Sequence, residues 1–466
     1  MIGFKIGLIS TVSPEFGSAL GGKDMADAKV LLRKARQVLE SLGAEVVDPG
    51  EPTSERPQAA RHGHLLRQQG AQVLVIYIGH WTHAHTVLAV VTAAQVPVVV
   101  WSDLRPGGTN LTGVGAVHGT LDQVGILNSL VMGGFDDPAT VVELGVRCRA
   151  ASAMERLRGQ MLGLMGQRSM GMVTSTIDPS EWHCRFGLDV DDWDMLETVE
   201  LARAISDDDP RVERYVDWVY KTFGDVAVNR ETILASIKLY LVSKEIVETR
   251  GYDFAAVKCL PYMPSIYTTF CFAVAMLNDD SDADGPKERT VCACESDANG
   301  ALTMQIMKNL NDGPVNFGDM FEVNPETRIA VIANCGSQST QLALSRKDVN
   351  WVPNEMVQFD WMIKGMCPQY TGKPGRVTIA RLSCVKGEYV MMITGGEALE
   401  KGPPGIAELA PFCPRTYVKL DCDVSDLLQN LRSNHVSTIY GDYVRDLIEV
   451  CRLANIKPIV LEPVTG

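Results

Sequence analysis

The amino-acid sequence predicts an α/β protein with two doubly wound α/β domains followed by a C-terminal antiparallel, β-barrel-like domain. Three observations carry this prediction. Apolar strand-like runs alternate with helical patterns near the start of the chain, the alternation resumes in the middle, and strands at hairpin spacing follow towards the end. The expected domains are residues 1–165, 166–318 and 319–466.

The first domain is predicted from a regular alternation of strands and helices between residues 4 and 102. Runs such as Val73–Ile76 and Val96–Val100 are almost continuously apolar, which is typical of parallel strands that helices cover on both faces. A long helical pattern from Ala139 to Met165 is expected to close this domain at Gly166.

The second domain is predicted to begin with a strand from Met170 to Ser175, followed by three helical stretches. Two further strands are expected at Ala255–Leu260 and Thr290–Cys294. Beyond Asp319 the pattern changes to short strand candidates separated by Gly and Pro: Arg328–Ala333, Gly375–Leu382, Glu388–Thr394 and Arg415–Leu420. Strands at this spacing without helices between them favour an antiparallel or barrel-like domain.

Composition and charge exclude several classes of partner. The 466 residues carry a formal net charge of -14, whereas binding to a phosphate backbone needs a dense basic surface, so we expect no nucleic-acid partner. Met1–Ser10 lacks the pattern of a signal peptide, and no apolar window approaches the roughly 20 residues that span a bilayer. We therefore expect a cytoplasmic protein without a membrane partner.

The twelve Cys residues are scattered, and none forms the C-x₂-C pairs of a zinc ribbon. They are predicted to be buried, reduced thiols. Cys292 and Cys294 have the spacing of a metal hook, but alternate residues on a strand are more often part of the core. We favour the core interpretation for both.

Three separated residues form the strongest candidate site. Glu295 directly follows the apolar run Val291–Cys294, Asp319 follows 24 positions later, and His435 is the only His in the C-terminal half. Two carboxylates and one neutral imidazole leave open coordination positions, which suits Mn²⁺ or Mg²⁺ better than a closed structural zinc.

Each candidate also has an ordinary structural interpretation. Asp297 is expected to cap the helix that follows it by accepting its free amide hydrogens. Asp319 lies beside Gly318 and is interpreted equally well as a turn residue, and a lone His435 in a loop is more often a polar surface residue. The polar run Asn278–Lys287 invites comparison with a calcium loop but lacks its terminal Glu. A solvated surface loop is favoured there.

Several segments taken together resemble L-fucose isomerase and the related L-arabinose isomerases. The matching segments are Gly166–Met172, Asp178–Trp182, Phe186–Val190, Lys258–Pro261, Cys294–Asp297, Gly300–Met304, Gly318–Asp319 and Asn434–His435. The likeness runs, with gaps, from about residue 70 to about residue 445. Its most specific parts are the Glu295 segment and the step of 24 residues to Asp319.

This resemblance implies aldose–ketose isomerisation of an open-chain sugar through a cis-enediol. It implies that Glu295, Asp319 and His435 bind Mn²⁺, with Mg²⁺ or Co²⁺ as substitutes, and that the two carboxylates also act as acid and base. Asn434 matches a position that contacts sugar in the family. The family fold, two α/β domains and a β-barrel-like domain, agrees with the strand and helix pattern.

The segment His80–His85 carries a second cluster, with the spacing H-x-x-H-x-H. A separate metal site is disfavoured because no carboxylate or Cys lies beside it in the sequence. In the family, a Trp from the first domain of a neighbouring subunit helps to close the sugar pocket, and Trp81 is compatible with that role; structural packing is an equal alternative. The resemblance therefore implies a homo-oligomer, a trimer or hexamer, with shared active sites.

The sequence does not decide which sugar is the substrate. The N-terminal basic residue that contacts sugar in L-fucose isomerases has no match in the loop Val12–Gly17, so a pentose, a deoxyhexose and an acid-bearing hexose such as a sulfonated sugar are all candidates. Lys258 and Arg381 are interpreted as structural, with a place in a different pocket as the alternative. The rival functions are a non-catalytic sugar-binding protein and a metal-dependent aldolase-type lyase.

Overall fold

A computed structural model describes residues 3–13, 24–104, 109–354, 365–403 and 413–464 of the chain. Contacts divide the chain into two compact units. The first unit comprises Met1–Leu157 and Arg445–Leu453, and the second comprises Arg158–Val444 and Ala454–Gly466. The three-domain division at residues 165 and 318 stays a prediction.

The first unit contains a five-stranded parallel sheet with the order β2-β1-β3-β4-β5. The strands are β1 (Lys5–Thr11), β2 (Glu45–Val47), β3 (Val73–Ile78), β4 (Val98–Ser102) and β5 (Asn128–Met132). The helices are α1 (Asp24–Ser41), α2 (Arg56–Gln68), α3 (Ala84–Ala94), α4 (Asn110–Gln123) and α5 (Pro138–Leu157).

Strand β3 shows why this sheet is buried on both faces. Its six residues are all fully buried, and successive side chains of a strand point to opposite faces. Val73, Val75 and Tyr77 pack into one apolar cluster with residues of α1 and α5. Leu74, Ile76 and Ile78 pack into another with residues of α2, α3 and α4. The doubly wound arrangement expected near the start of the chain is therefore present.

The second unit begins with a four-stranded parallel sheet of order β11-β8-β6-β7. The strands are β6 (Met161–Met165), β7 (Asp189–Asp192), β8 (Phe254–Val257) and β11 (Val291–Cys294), with the short hairpin β9 (Ser281–Asp282) and β10 (Gly285–Pro286) before β11. The helices are α6 (Pro179–Phe186), α7 (Met195–Ala204), α8 (Pro210–Thr222), α9 (Arg230–Arg250), α10 (Met263–Ile266), α11 (Cys271–Asn278) and α12 (Ala298–Asn311).

The sequence prediction was wrong about how this unit starts. The helix expected from Ala139 to Met165 ends at Leu157, and Met161–Met165 is strand β6. Gly159 has a φ of +82°, a left-handed conformation that favours glycine and terminates helices. The segment expected to be a strand, Met170–Ser175, instead contributes to two 3₁₀ turns, Ser169–Gly171 and Val173–Ser175.

The polar run Asn278–Lys287 is also less solvated than expected. Asp279 and Asp282 are almost fully buried. Asp279 accepts hydrogen bonds from Ser339 and Arg346, and Asp282 forms an ion pair of 2.8 Å with Lys244. These carboxylates are neutralised by neighbouring side chains, which explains their burial.

The remaining strands form a seven-stranded, mostly antiparallel sheet of order β16-β19-β12-β13-β18-β17-β20. They are β12 (Val315–Asn324), β13 (Ile329–Ala333), β16 (Gly375–Val385), β17 (Glu388–Leu399), β18 (Arg415–Leu420), β19 (His435–Tyr440) and β20 (Lys457–Val460). A separate two-stranded sheet pairs β14 (Asn350–Pro353) with β15 (Met366–Gln369), and α13 (Val424–Asn430) and α14 (Val444–Leu453) complete the described elements.

Strand β16 also pairs with β17. The six strands from β16 to β17 in the sheet order are therefore joined in a closed ring of antiparallel pairs. Strand β20 pairs with β17 in parallel. The mixed α/β class with parallel sheets is thereby confirmed, while the barrel-like form of the C-terminal domain stays a prediction. No helix within the described ranges combines the length and apolar character needed to cross a membrane.

Candidate active site

Two of the candidate residues face each other across neighbouring strands of the C-terminal sheet. Asp319 lies within β12 and pairs in register with His435, the first residue of β19. Neither residue is in the turn or surface loop that the sequence allowed. The His435 side chain is fully buried and that of Asp319 is 20% exposed. The antiparallel register therefore brings together two residues that lie 116 positions apart.

Glu295 also lies beside His435, but it follows a strand of the parallel sheet. It directly follows β11, at the carboxyl edge where ligands of open α/β sheets bind. Glu295 and Ser296 have φ values of 61° and 51°, a left-handed conformation that costs non-glycine residues roughly 1–2 kcal/mol each. Ser296 fixes the turn, because its N–H donates to Val257 O at 3.0 Å and its hydroxyl donates to Met165 O. The strained turn holds the Glu295 carboxylate against His435.

Oxygen atoms of both carboxylates lie near one imidazole nitrogen. His435 Nε2 lies 3.3 Å from Glu295 Oε2 and 3.6 Å from Asp319 Oδ1. Glu295 Oε2 and His435 Nε2 are both buried, and neither makes a hydrogen bond within the described part of the chain. Neighbouring ligands of an octahedral ion with bonds of about 2.1 Å are separated by about 3 Å. These residues could therefore hold a divalent cation.

Asn434 also lies at this place, as a partner of Asp319. Its Nδ2 donates to Asp319 Oδ1 at 2.7 Å, and its carbonyl accepts from Met320 N. The hydrogen bond orients the Asp319 carboxylate and leaves the Asn434 side chain at the partly exposed side of the cluster.

Asp297 has a role that the sequence did not reveal. It caps α12 as predicted, since Oδ1 accepts from Gly300 N at 2.9 Å. Its Oδ2 lies 2.7 Å from His435 Nδ1, and Arg381 donates to both oxygens, at 2.5 and 3.0 Å. Asp297 and Arg381 are almost fully buried. The proximity of Asp297 to Glu295 in sequence was visible, but the partners His435 and Arg381 lie 138 and 84 positions away and left no signal.

The electrostatics of this cluster follow from its burial and its partners. Burial opposes the charged form of Asp297, yet the guanidinium of Arg381 and the hydrogen bond from His435 hold the pKa of Asp297 well below its usual range. Burial would lower the pKa of His435, but Asp297 and then Glu295 raise it to about 10. Burial, together with the charge of Glu295, raises the pKa of Asp319 despite the opposing charge of His435. Without a cation, the cluster thus retains a proton on the imidazole.

Trp81 lies in the first unit, in the segment that follows β3. Its N–H donates to Thr109 Oγ1 at 2.9 Å and its carbonyl accepts from Ser13 N. The side chain is half-buried, so its predicted contact with a sugar stays a prediction. Residues 14–17 of the loop expected to carry a sugar-binding basic residue lie outside the described residues.

The histidines around Trp81 are engaged with other side chains. His80 lies 3.3 Å from Asp27, a carboxylate that sequence proximity did not show, and His83 is hydrogen-bonded to Ser13 at 3.1 Å. His83 and His85 stack at 5.2 Å between ring centroids. The interpretation that disfavours a separate metal site in this segment stays a prediction.

Comparisons with known proteins match most of the chain. The model of the L-fucose isomerase C-terminal domain matches residues 332–461. The chain is 24% identical over 397 residues to a sulfoquinovose isomerase of Alkalicoccus urumqiensis, covering 80% of this chain and 82% of that protein. It is 24% identical over 375 residues to a sulfoquinovose isomerase of Priestia aryabhattai, covering 78% and 79%, and 23% identical over 391 residues to one of Clostridium sp. (strain MSTE9), covering 78% and 81%.

A solved structure of Salmonella D-lactate dehydrogenase aligns with 66% of this chain and 95% of its own at 10% identity. Its TM-score is 0.16, which carries no argument about fold or function. The family model and the curated relatives are therefore the comparisons that bear on function.

Proposed function

We propose that the chain, whose relatives and family match place it with the L-fucose isomerase-like proteins, is a metal-dependent aldose–ketose isomerase acting on an open-chain sugar. The observation that carries the proposal is the convergence of Glu295, Asp319 and His435 at 3.3 and 3.6 Å around one imidazole nitrogen. A sugar-binding protein without catalysis has no need of such a trio.

We propose that these three residues hold Mn²⁺, with Mg²⁺ or Co²⁺ as substitutes. The buried Glu295 Oε2 and His435 Nε2 support this assignment, because buried polar atoms without a hydrogen bond are expensive unless a ligand satisfies them. When bound, the ion supplies a Lewis acid for the oxygens on the first two carbons of the sugar. Asp297 orients His435 by accepting from Nδ1, which leaves Nε2 with its lone pair for the ion.

The two carboxylates divide the proton transfers of the reaction. One of Glu295 and Asp319 removes a proton from C1 or C2, and the other moves protons between the hydroxyl oxygens, through a cis-enediol. Both are close to the same imidazole; the Glu295 side chain is buried, whereas that of Asp319 is 20% exposed. No nucleotide cofactor is needed for this chemistry.

For the substrate, we propose a sugar that carries an acid group, with a sulfonated hexose as the first candidate. The relatives at 23–24% identity are sulfoquinovose isomerases. Lys258 supports an anionic substrate, because it follows β8, whose last residue Val257 pairs with Cys294 immediately before Glu295. Its ammonium donates to Gln167 O at 3.1 Å, and two further donor hydrogens are available to a sulfonate or carboxylate.

The environment of the site forms part of the same proposal. Asn434 contacts the sugar, and Trp81 of a neighbouring subunit closes the pocket, in a cytoplasmic homotrimer or homohexamer. The geometry supports the proposed contact between Asn434 and the sugar, because the Asn434 amide donates a hydrogen bond of 2.7 Å to the candidate catalytic residue Asp319. The test of shared sites is complementation: mixing a Trp81 variant with a Glu295 variant restores activity only if subunits exchange and sites are composite.

The proposed function is tested by stripping the purified protein with EDTA and adding back Mn²⁺, Mg²⁺ or Co²⁺ one at a time. Each form is incubated with sulfoquinovose, L-fucose, L-arabinose and D-xylose, and the aldose and ketose are resolved by NMR. We expect ion-dependent conversion with the carbon skeleton intact. Shorter products would indicate the lyase instead, and sugar binding without conversion under every ion would indicate a binding protein.

A further inference from the structure

A second group of ligand atoms shares Glu295 with the active site. Cys294 is the last residue of β11, and Cys335 lies two positions after β13. The sulfur atoms of these two residues and a carboxylate oxygen of Glu295 all lie within 4.8 Å of one another. All three residues are buried, at 4% exposure or less. The sequence favoured a plain core role for Cys294 and gave no reason to connect it with Cys335.

The position of Cys335 is fixed by the residues around it. Asn354 Nδ2 donates to Cys335 O at 2.6 Å and lies 3.3 Å from Cys271 Sγ, and Cys271 Sγ donates to Cys335 O at 3.5 Å. At Gly336, a Cβ would lie 2.3 Å from Cys367 Cβ and 3.1 Å from Cys271. The chain therefore passes close to other cysteines there, and the Cys335 thiol itself donates to Asn334 Oδ1 at 3.6 Å.

We propose that Cys294, Cys335 and Glu295 form a site for a thiophilic divalent cation, Zn²⁺ or Cd²⁺, distinct from the Mn²⁺ site but sharing its carboxylate. Sulfur ligands select such ions, while oxygen ligands suit Mn²⁺. In a tetrahedral zinc site with Zn–S bonds of about 2.3 Å, two sulfurs are separated by about 3.8 Å. Atoms within 4.8 Å therefore need to shift by about 1 Å at most. Water fills the fourth position.

The carboxylate of Glu295 separates this group from ordinary core cysteines. Buried cysteines usually lie among apolar atoms and have no charged ligand beside them. Here a carboxylate oxygen of the buried Glu295 lies within 4.8 Å of both thiols, and Glu295 Oε2 is also 3.3 Å from His435 Nε2. Two thiols lose their protons when the ion binds, as coordinated thiols do, so two protons are released to solvent.

Inhibition follows from the shared carboxylate, and this part alone rests on the proposed function. An ion held by Cys294 and Cys335 draws Glu295 away from His435 and Asp319. Zn²⁺ or Cd²⁺ then competes with the catalytic ion even though most of its ligands are different. Binding of a soft metal at this site therefore inhibits an enzyme whose catalytic ion is held mainly by oxygen ligands.

The binding experiment uses the full chain with the exposed cysteines removed. Cys184 and Cys384 are exposed, and a Cys184→Ser/Cys384→Ser parent eliminates adventitious thiolate binding. The reduced, metal-free parent is titrated with Cd²⁺ under argon, and thiolate-to-cadmium charge transfer is followed in the ultraviolet. We expect saturation at one equivalent, with affinity at least tenfold weaker after adding Cys335→Ser or Cys294→Ser.

Cys148→Ser is the matched control, because Cys148 is fully buried in α5 of the first unit and lies outside the group. Absence of a charge-transfer band in the parent overturns the proposal, and so does a band unaltered in the Cys294→Ser/Cys335→Ser variant. The parent titration needs no mutation of the core, so a folding defect in a variant does not obscure the result.

An activity assay then tests the inhibition. Zn²⁺ added against a fixed Mn²⁺ concentration is expected to inhibit the parent at least tenfold more strongly than Cys335→Ser, whose uninhibited turnover is retained. Equal inhibition of the two proteins overturns the shared-carboxylate mechanism. If no isomerase activity is found, the cadmium spectrum still decides on the site, so failure of the proposed function and failure of this inference are told apart.

Discussion

Asp297 Oδ2 lies 2.7 Å from His435 Nδ1, in a pair that is buried at both ends. Arg381 holds the other side of the carboxylate with two hydrogen bonds. A carboxylate in this position fixes the tautomer and ring orientation of a metal-binding His. One helix-capping residue thus connects the local structure of α12 with the orientation of the candidate metal centre.

Replacing Asp297 by Asn tests this connection. The amide can still cap α12, but it no longer provides a carboxylate for His435 Nδ1, and Arg381 loses its counter-charge. We expect the Mn²⁺ concentration for half-maximal activity to rise by about 10- to 100-fold, with activity largely restored at saturating Mn²⁺. Metal titrations by activity and by calorimetry measure the effect.

A cap elsewhere provides the control for Asp297→Asn. Asp178 caps α6 by accepting from Ser180 N and Glu181 N, so Asp178→Asn changes a comparable cap without touching His435. The metal requirement of Asp178→Asn is expected to match that of the unaltered protein. An equal Mn²⁺ requirement in both variants would show that Asp297 acts only through the helix.

Glu295→Gln tests the central carboxylate. The change keeps the size of the side chain but removes its charge, so we expect turnover to fall by at least a thousandfold, about 4 kcal/mol at the transition state, while the circular dichroism spectrum is retained. The measurement is initial rate at saturating Mn²⁺ with the best sugar of the screen. Undiminished turnover in a purified variant would refute the assigned role of Glu295.

Lys258→Met tests the preference for an anionic sugar. Removal of the ammonium is expected to raise KM for a sulfonated hexose by about 10- to 100-fold, in line with the 1.5–3 kcal/mol of a hydrogen bond to a charged group. KM for a neutral aldose serves as the internal control and is expected to change less than twofold. Equal effects on both sugars would remove Lys258 from substrate recognition.

Trp81→Phe tests the proposed contact from a neighbouring subunit. The smaller ring covers less of the C–H face of a sugar, so we expect KM to rise severalfold while kcat changes little. Trp218→Phe is the comparison, since Trp218 is also half-buried and packs on Arg346 and Phe223. Unchanged kinetics in the Trp81 variant would count against the contact.

Glu449→Gln tests a pH-dependent contribution to stability in the first unit. Burial would raise the pKa of Glu449, but hydrogen bonds from Arg452 and Ser129 outweigh it and lower the pKa below its ordinary value. The contribution is therefore fully present above the unfolded pKa of about 4.3 and is lost as pH falls through the lower folded pKa. We expect a loss of about 2 kcal/mol at pH 7 that shrinks below about pH 4.

Urea denaturation at several pH values measures the effect of Glu449→Gln. The exposed pair of Glu40 with Arg36 on α1 supplies the control, Glu40→Gln, which is expected to change the unfolding free energy little at any pH. A Glu449→Gln deficit that stays constant down to acid pH would mean that packing, rather than the charge of Glu449, carries the contribution.

The sequence was informative where neighbouring residues act together. The apolar alternation in β3 predicted a strand buried on both faces, and the position of Glu295 after an apolar run predicted its place at a sheet edge. The cap at Asp297 was also visible, because a capping Asp precedes its helix directly. These features are local, so periodicity and short motifs are sufficient to reveal them.

Long-range pairing was hidden from the same patterns. His435 was proposed as a metal ligand, but a surface position stayed open as its alternative, because nothing in its neighbourhood shows that β19 lies opposite β12. The link from Asp297 to Arg381 is invisible for the same reason. Met161–Met165 was taken as helix because a five-residue apolar run fits either element, and the left-handed Gly159 that separates it from α5 was overlooked.

The course of the chain through the first unit has a consequence for its biosynthesis. Arg445–Leu453 belongs to that unit, and Leu453 packs against its apolar cluster while Asp446 and Glu449 bond to Arg149 and Arg147 of α5. A ribosome delivers this segment long after Leu157, so the amino-terminal portion of the unit waits for all of the intervening chain before its native contacts are complete. A fragment that ends at Leu157 is consequently expected to be less stable than the complete unit.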